Sequence, residues 1–351
     1  MIIIATIGQH TTEDKIRKII LTGADIVRFN LSRHSLEENI SFINLAQKII
    51  WDLNAKTKIM LDMPINKIRL GDFNIKFFAV RENEEFICKT GSYTDDCNQF
   101  IPIQTTKLGE KVHLNQMITI GDGEIAVQVT EIIDSETIKI KILNNGIIQY
   151  HRTFNIKYQI PDDIIIDSYR DILTKINASD TNYRPEFFAI SYINKQANEI
   201  IKSWPDIKGE GSERKIIVKI ENESAVDDLE QIFQDDFYDM IMLDRGELGV
   251  NLPFQKLGLL QKKMSTISKK YNKPLIISTQ ILESTINNCT PNRSDILDLT
   301  NLVLDDVFGI MLCKETGFNS RPAYSISVAK KIIAEVEKYK QHICLQPKIS
   351  T

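Results

Sequence analysis

Lys219 and Glu221 stand two residues apart in an apolar run that also holds Ile216, Ile217, Val218 and Ile220. Successive side chains of an extended chain point to opposite faces, so the ammonium and the carboxylate share one face while Val218 and Ile220 take the other. A basic and an acidic group placed together can serve an anion and its metal ion at one point. Polar residues also collect at the ends of other apolar runs: Arg28, Asn30 and Ser32; Asp62; Ser191; Arg245 and Glu247; Thr279 and Gln280; Glu315. Glu221 and Glu247 can hold Mg2+ through one or two carboxylates, leaving positions for substrate oxygens. Arg28 offers a planar fork, and Lys219 a point charge, to a phosphoryl group. Gly246 allows a tight turn in "DRGELG", and "GVNLP" is expected to begin a short helix. Backbone N–H groups there could bind an anion such as a substrate carboxylate. These types together suggest phosphoryl transfer, where catalysis is mainly positioning and charge neutralisation.

Positioning such residues needs a frame. Eight β-type runs are predicted, at Ile2–Gly8, Asp25–Ser32, Lys58–Met63, Phe187–Ile193, Lys215–Glu221, Tyr238–Asp244, Lys273–Gln280 and Phe308–Glu315. Amphipathic helical stretches lie between them, such as "TTEDKIRKIILTG", which starts on a Thr cap and ends on Gly23. Repeated strand–helix units imply a parallel sheet, and about eight of them imply an α/β fold of the (β/α)8 TIM-barrel type. In such barrels the working residues lie at the carboxyl ends of the strands. From about Arg69 to Lys157 the pattern turns all-β, with "GDG" and "NNG" turn signals. A small β-domain inserted after the third barrel strand explains it. The expected division is 1–68 and 158–340 for the barrel, 69–157 for the insert and 341–351 for a tail. Removing the insert leaves roughly 260 residues, close to the ~250 typical of the fold.

Composition narrows the alternatives. A net charge of -4 gives no basic footprint for nucleic acid. No apolar run approaches the roughly 18 residues of a membrane span. "MIIIATIG" lacks a basic leader and reads as a first strand. Five cysteines, odd in number and without a CxxC pair, suit reduced thiols in a cytoplasmic protein.

Six segments, in order, resemble the pyruvate kinase family: "ATIGQHTTEDKIRKIILTGADIVRFNLSRHS", "LDMPINKIRLG", "VKIENESAVDDLEQI", "IMLDRGELGVNLP", "KPLIISTQILES" and "IMLCKETGFNSRP". "GDGEIAVQV" sits like that family's lid segment, so the insert is expected to be a small β-barrel lid. The resemblance implies transfer of the phosphoryl group of phosphoenolpyruvate to ADP, giving pyruvate and ATP in glycolysis. It implies that Lys219 stabilises the transferring phosphoryl and the enolate oxygen left behind. Glu221 and Glu247 would ligate Mg2+ (or Mn2+), and Arg28 would grip the phosphate. Gly246, Glu247 and Thr279 would contact substrate, with Thr279 lining the face where the enolate takes its proton. Asn30, Arg69 and Arg152 would meet the nucleotide, and Asp122 would come down with the lid.

The chain departs from the family pattern at several points. Glu247 replaces the usual Asp, Asp244 a usual Ala, and Cys313-Lys314 a usual Ser-Gly. A thiol is the weaker hydrogen-bonder, so enolate protonation is expected to slow. Gln9 and Arg33 also differ, near the expected nucleotide site. Lys67 stands where potassium-dependent members carry Glu, so K+ is expected not to be required. Otherwise Asn30, Ser32 and Asp62 would bind a monovalent cation. The chain ends soon after "AYSISVAKKIIAEVEKYKQ", without the family's usual carboxyl-terminal domain, so no allosteric activation by sugar phosphate is expected. "PNRSDILDLTNLVLD" keeps the segment of a homodimer contact through barrel helices. Two other readings stay open: a relative with an altered acceptor, and a weakly active regulatory or binding paralogue.

Overall fold

The computed structural model describes residues 1–8, 11–32, 35–63, 67–156, 161–178, 185–208 and 214–345. Gln9, Arg33 and the Pro64, Ile65 and Asn66 part of the Lys67 segment lie outside them. The chain forms two compact units, Met1–Ile65 with Asp162–Thr351, and Asn66–Pro161.

The first unit is a closed parallel barrel of β1 (Ile2–Ile7), β2 (Ile26–Asn30), β3 (Lys58–Asp62), β4 (Phe187–Ser191), β5 (Lys215–Ile220), β6 (Met240–Asp244), β7 (Leu275–Ser278) and β8 (Gly309–Leu312). Each strand pairs with its neighbours in sequence order, and β1 closes the ring on β8. Parallel strands covered on both faces read as continuous apolar runs, which is why the signal was so strong in the sequence. The first two connecting helices begin on side-chain caps: Thr12 accepts from Lys15 N, and Ser35 forms a reciprocal capping box with Glu38. Ile16, Ile19 and Ile20 of the first helix are buried. Among the described residues no helix is long and apolar enough to cross a membrane.

Inside the barrel lie Ile4, Ile26, Met60, Ala189, Ile217, Met242, Ile276 and Met311, one from each strand. Two residues further along the same strands come Thr6, Arg28, Asp62, Ser191, Lys219, Asp244, Ser278 and Cys313. Strand periodicity therefore sets a polar layer directly above the apolar one, at the carboxyl end of the barrel.

The second unit is all-β. Its main sheet runs Phe154–Asn155, Met117–Ile120, Ile125–Ile132, Thr137–Ile142, Glu85–Thr90 and Ile101–Ile103, with two further strand pairs. Val127, Val129, Ile138 and Ile140 alternate inward from two neighbouring strands to build its core.

Two expectations at strand ends need correction. The run Phe308–Glu315 is strand only over Gly309–Leu312; Lys314–Gly317 is a helical turn. Glu315 belongs to that turn and is fully buried, accepting the N–H groups of Ile281 and Cys313. The helix expected to begin in "GVNLP" instead spans Arg245–Asn251, because the Asp244 side chain accepts Gly246 N and starts it four residues earlier. Glu247 accordingly lies on this helix rather than on a strand.

Candidate active site

Asp62 is the hub of the polar layer. Its Oδ2 accepts from Arg28 Nε at 2.8 Å and from Arg28 Nη2 at 2.5 Å, while Lys219 Nζ lies 2.9 Å from its Oδ1. Arg28 Nη1 also donates to Thr6 Oγ1 across the β1–β2 pairing, at 3.1 Å. Lys219 Nζ lies 3.4 Å from Glu221 Oε2, and Glu221 Oε1 accepts the Ser191 hydroxyl. Ser191 faces Lys219 in the β4–β5 register, and its N–H donates to the Tyr169 hydroxyl at 3.2 Å. Arg28, Asp62, Lys219 and Glu221 are all buried.

The charges in this cluster hold one another ionised. Burial by itself disfavours the charged form of each group. Against it, Lys219 and Arg28 hold the Asp62 carboxyl below its ordinary value. Burial likewise opposes the Lys219 charge, but Asp62 and Glu221 raise its affinity for the proton well above the ordinary one. Arg28 is raised too, with Asp62 outweighing the desolvation. The outcome is a permanently cationic pair seated on carboxylates at the mouth of the barrel.

A second group of residues forms around β6 and β7. Thr279 donates its hydroxyl to Asp244 Oδ1 at 3.0 Å, and the same oxygen takes Gly246 N–H at 3.1 Å. Thr279 and Gln280 both have positive φ, 73° and 54°. Arg245 fixes that turn by donating to Thr279 O at 3.0 and 2.7 Å and to Gln280 O at 2.9 Å, and it pairs with Asp298 at 2.9 Å. Cys313 Sγ lies 3.9 Å from Thr279 Oγ1, and burial pushes the thiol up to about 12.

Glu221 and Glu247 come together through Asn251, whose amide donates to the main-chain oxygens of both, at 3.3 and 3.0 Å. Among the described residues no group of three or more His, Cys, Asp or Glu side chains could hold a metal ion by itself. The Asn251 amide thus ties the two segments together by their main chain, and the Glu221 and Glu247 side chains are of the oxygen-donor type that suits a hard cation such as Mg2+ or Mn2+, which keeps positions for water and substrate. Of the groups named for a monovalent ion, Asp62 is engaged by two cations, and Asn30 Oδ1 accepts both the N–H and the hydroxyl of Ser32, at 3.0 and 2.7 Å.

The remaining expected residues lie on the all-β unit. Arg69 and Thr153 form an antiparallel bridge, and Arg69 Nη1 donates to His151 O at 3.1 Å, so Arg69 and Arg152 stand on adjacent segments. Arg152 Nη2 lies 3.6 Å from Glu124 Oε1, and Glu124 accepts the N–H of Asp122, which is exposed in the turn Gly121–Glu124. Lys67 opens the first segment of this unit after the undescribed residues. Thr6, Tyr169 and Asn251 were missed from the sequence. Asn251 alone left a readable signal, four residues after Glu247 and so on the same helix face.

Residues 1–326 match the family described as pyruvate kinase, barrel domain. The pyruvate kinase of Thermotoga maritima is 32% identical over 343 residues, covering 96% of this chain and 71% of its own length. That of Buchnera aphidicola subsp. Schizaphis graminum is 30% identical over 342 residues, covering 96% and 69%. A crystal structure of Cryptosporidium parvum pyruvate kinase superimposes with a TM-score of 0.83 at 25% identity, covering 99% of this chain and 74% of that one. The Cryptosporidium parvum enzyme in complex with ADP superimposes at 0.84, with 26% identity and coverages of 99% and 71%. With the Lys219, Asp62 and Glu221 cluster at the mouth of an eight-stranded parallel barrel, these matches show that the chain belongs to the pyruvate kinase family of phosphotransferases.

Proposed function

We infer that the chain transfers the phosphoryl group of phosphoenolpyruvate to ADP, giving pyruvate and ATP, as a glycolytic enzyme of the cytoplasm. The observation that carries this reading is the buried Lys219 ammonium between Asp62 and Glu221. A transferring phosphoryl group needs fixed positive charge and alignment more than covalent help. Lys219, kept protonated by its neighbours, offers that charge to the phosphoryl and then to the enolate oxygen. Arg28, locked on Asp62 and Thr6, adds a second cation in a defined orientation. A divalent cation held by Glu221 and Glu247, when bound, supplies Lewis-acid charge neutralisation to the phosphate and carboxylate oxygens. Thr279, with Cys313 beside it, lines the face that delivers a proton to the enolate.

Arg69 and Arg152 are assigned to the nucleotide phosphates, and Asp122 to the lid. Their support is the adjacency of the two arginines within the all-β unit and the ADP complex of the Cryptosporidium parvum relative. Activity is expected without K+, because Lys67 stands in place of Glu and the Asp62 carboxylate already holds two cations. A homodimer is expected through the helix Arg293–Leu304, whose Leu297 and Leu304 are exposed.

The test is a coupled assay of pyruvate formation from phosphoenolpyruvate, ADP and Mg2+ in tetramethylammonium buffer. Turnover that Lys219→Met abolishes, and that K+ changes less than about twofold, is expected. Turnover surviving the substitution would place the chemistry elsewhere, and a large activation by K+ would reject the Lys67 assignment alone.

A further inference from the structure

Asp244 carries a carboxylate at a place where the proposed function calls for a substrate carboxylate. Its Oδ1 is the acceptor for two donors from different strand ends, Gly246 N–H at 3.1 Å and the Thr279 hydroxyl at 3.0 Å. Both belong to the set expected to contact substrate. The packing there is close. A Cβ placed on Gly246 would meet Thr279 Cγ2 at 3.0 Å, Asp244 Oδ1 at 3.3 Å and Thr279 Oγ1 at 3.4 Å. Asp244 is partly exposed, so its side chain opens to the mouth of the barrel rather than into the core. Its charge also reaches the site's cation, adding to the forces that keep Arg28 ionised.

We propose that Asp244 is a specificity residue that occupies the substrate-carboxylate position from within, engaging Gly246 N–H and the Thr279 hydroxyl and weakening the site's grip on anionic substrates. The inference rests on the phosphoenolpyruvate reading above and sharpens it. An incoming carboxylate has to displace Asp244 from both donors and then lie beside a like charge, which is unfavourable. A substrate with a neutral group at that position is spared the like-charge repulsion. Asp244 therefore biases the site against dicarboxylate-like ligands relative to relatives that carry an apolar residue there.

Isothermal titration of oxalate in the presence of Mg2+ tests this, because oxalate presents the paired oxygens of an enolate and its carboxylate. Asp244→Ala is expected to bind oxalate about tenfold more tightly than the parent chain, which corresponds to about 1.4 kcal/mol. Asp244→Asn keeps an acceptor for both donors without the charge, and is expected to gain roughly threefold. Should Asp244→Ala fail to fold, as judged by its melting curve, Asp244→Asn decides. Unchanged or weaker binding, or no binding by parent and variants alike, overturns the proposal. Steady-state assays on the same proteins separate the two readings: Asp244→Ala should lower KM for phosphoenolpyruvate. A parent chain without turnover sinks the phosphoenolpyruvate reading; a parent that turns over, with a variant whose KM does not fall, sinks the role of Asp244 alone.

Discussion

Lys219 Nζ lies 2.9 Å from Asp62 Oδ1 although their strands, β5 and β3, are separated by the whole of β4. The short side chain of Ser191 on β4 leaves room for this contact and caps Glu221 from the same spot. The pair joins Lys219 to the residue that anchors Arg28, so removing either charge disturbs both cations.

Lys219→Met is expected to lower the rate by at least about 10^3-fold, comparable with the loss of a preorganised charge at the reacting centre. It also leaves Glu221 and part of Asp62 buried without their cation, which costs about 3 kcal/mol or more. Urea unfolding should show the drop as a lower midpoint with an unchanged slope. A variant as stable as the parent would mean that the cluster is better solvated than its burial indicates.

The same pair sets limits on both sides of neutral pH. Burial raises the Asp62 carboxyl, but Lys219 and Arg28 outweigh it and hold it below its ordinary 3.8. Its stabilising contribution is therefore complete above that value and is lost as pH falls through the lower native one. Lys219 lies above its ordinary 10.5, so its contribution is complete below 10.5 and is lost as pH rises through the higher native value. Glu315 runs the other way: burial raises it above 4.5, so its contribution declines as pH climbs from there. Unfolding midpoints measured across pH should show an acid limb that Asp62→Asn flattens. An acid limb identical in that variant would assign acid lability to other carboxylates.

Thr279 and Gln280 hold consecutive positive φ values, and a β-branched residue tolerates that region poorly. Such strain costs about 1–3 kcal/mol per residue and persists where neighbours over-determine it. Arg245 does so with three donors to the two carbonyls. Arg245→Lys keeps the charge and loses the fork, so kcat/KM should fall by roughly 10- to 100-fold as Thr279 reorients. Asp298→Asn should act in the same direction and more weakly. Full activity in Arg245→Lys would show that the turn holds itself.

The cysteines should separate by reactivity. Cys289 is exposed, Cys88 and Cys97 are buried, and burial pushes Cys313 up to about 12. Mass spectrometry after brief iodoacetamide treatment near neutral pH is expected to find Cys289 labelled well before Cys88, Cys97 and Cys313. Early modification of Cys313 would mean that its thiolate is far more accessible than this packing allows.

The period-two pattern made Lys219 and Glu221 legible as neighbours, and the charged strand ends made a barrel-mouth site legible as a whole. What could not be read was which charge meets which. Asp62 stood in the sequence as one oxygen ligand among several; its role as anchor for Arg28 and Lys219 depends on β4 lying between β3 and β5 and on the residue sizes there. Asp244 was visible as an added charge, but its capture of Gly246 N–H and the Thr279 hydroxyl depends on a helix starting within a stretch bearing Gly246 and Gly249, two weak helix formers. Glu315 misled because the apolar run before it hides the point where strand gives way to turn.

The ring closes by pairing β1 with β8, so Ile2–Ala5 find Gly309–Leu312 as partners across almost the entire length of the polypeptide. During synthesis the first strand to leave the ribosome must wait for one of the last. The 66–161 segment, continuous in the chain and with its own apolar interior, is under no such delay and is free to mature while the earlier strands are still waiting. The exposed edge of β1 during that interval is where a nascent chain of this kind most needs a chaperone.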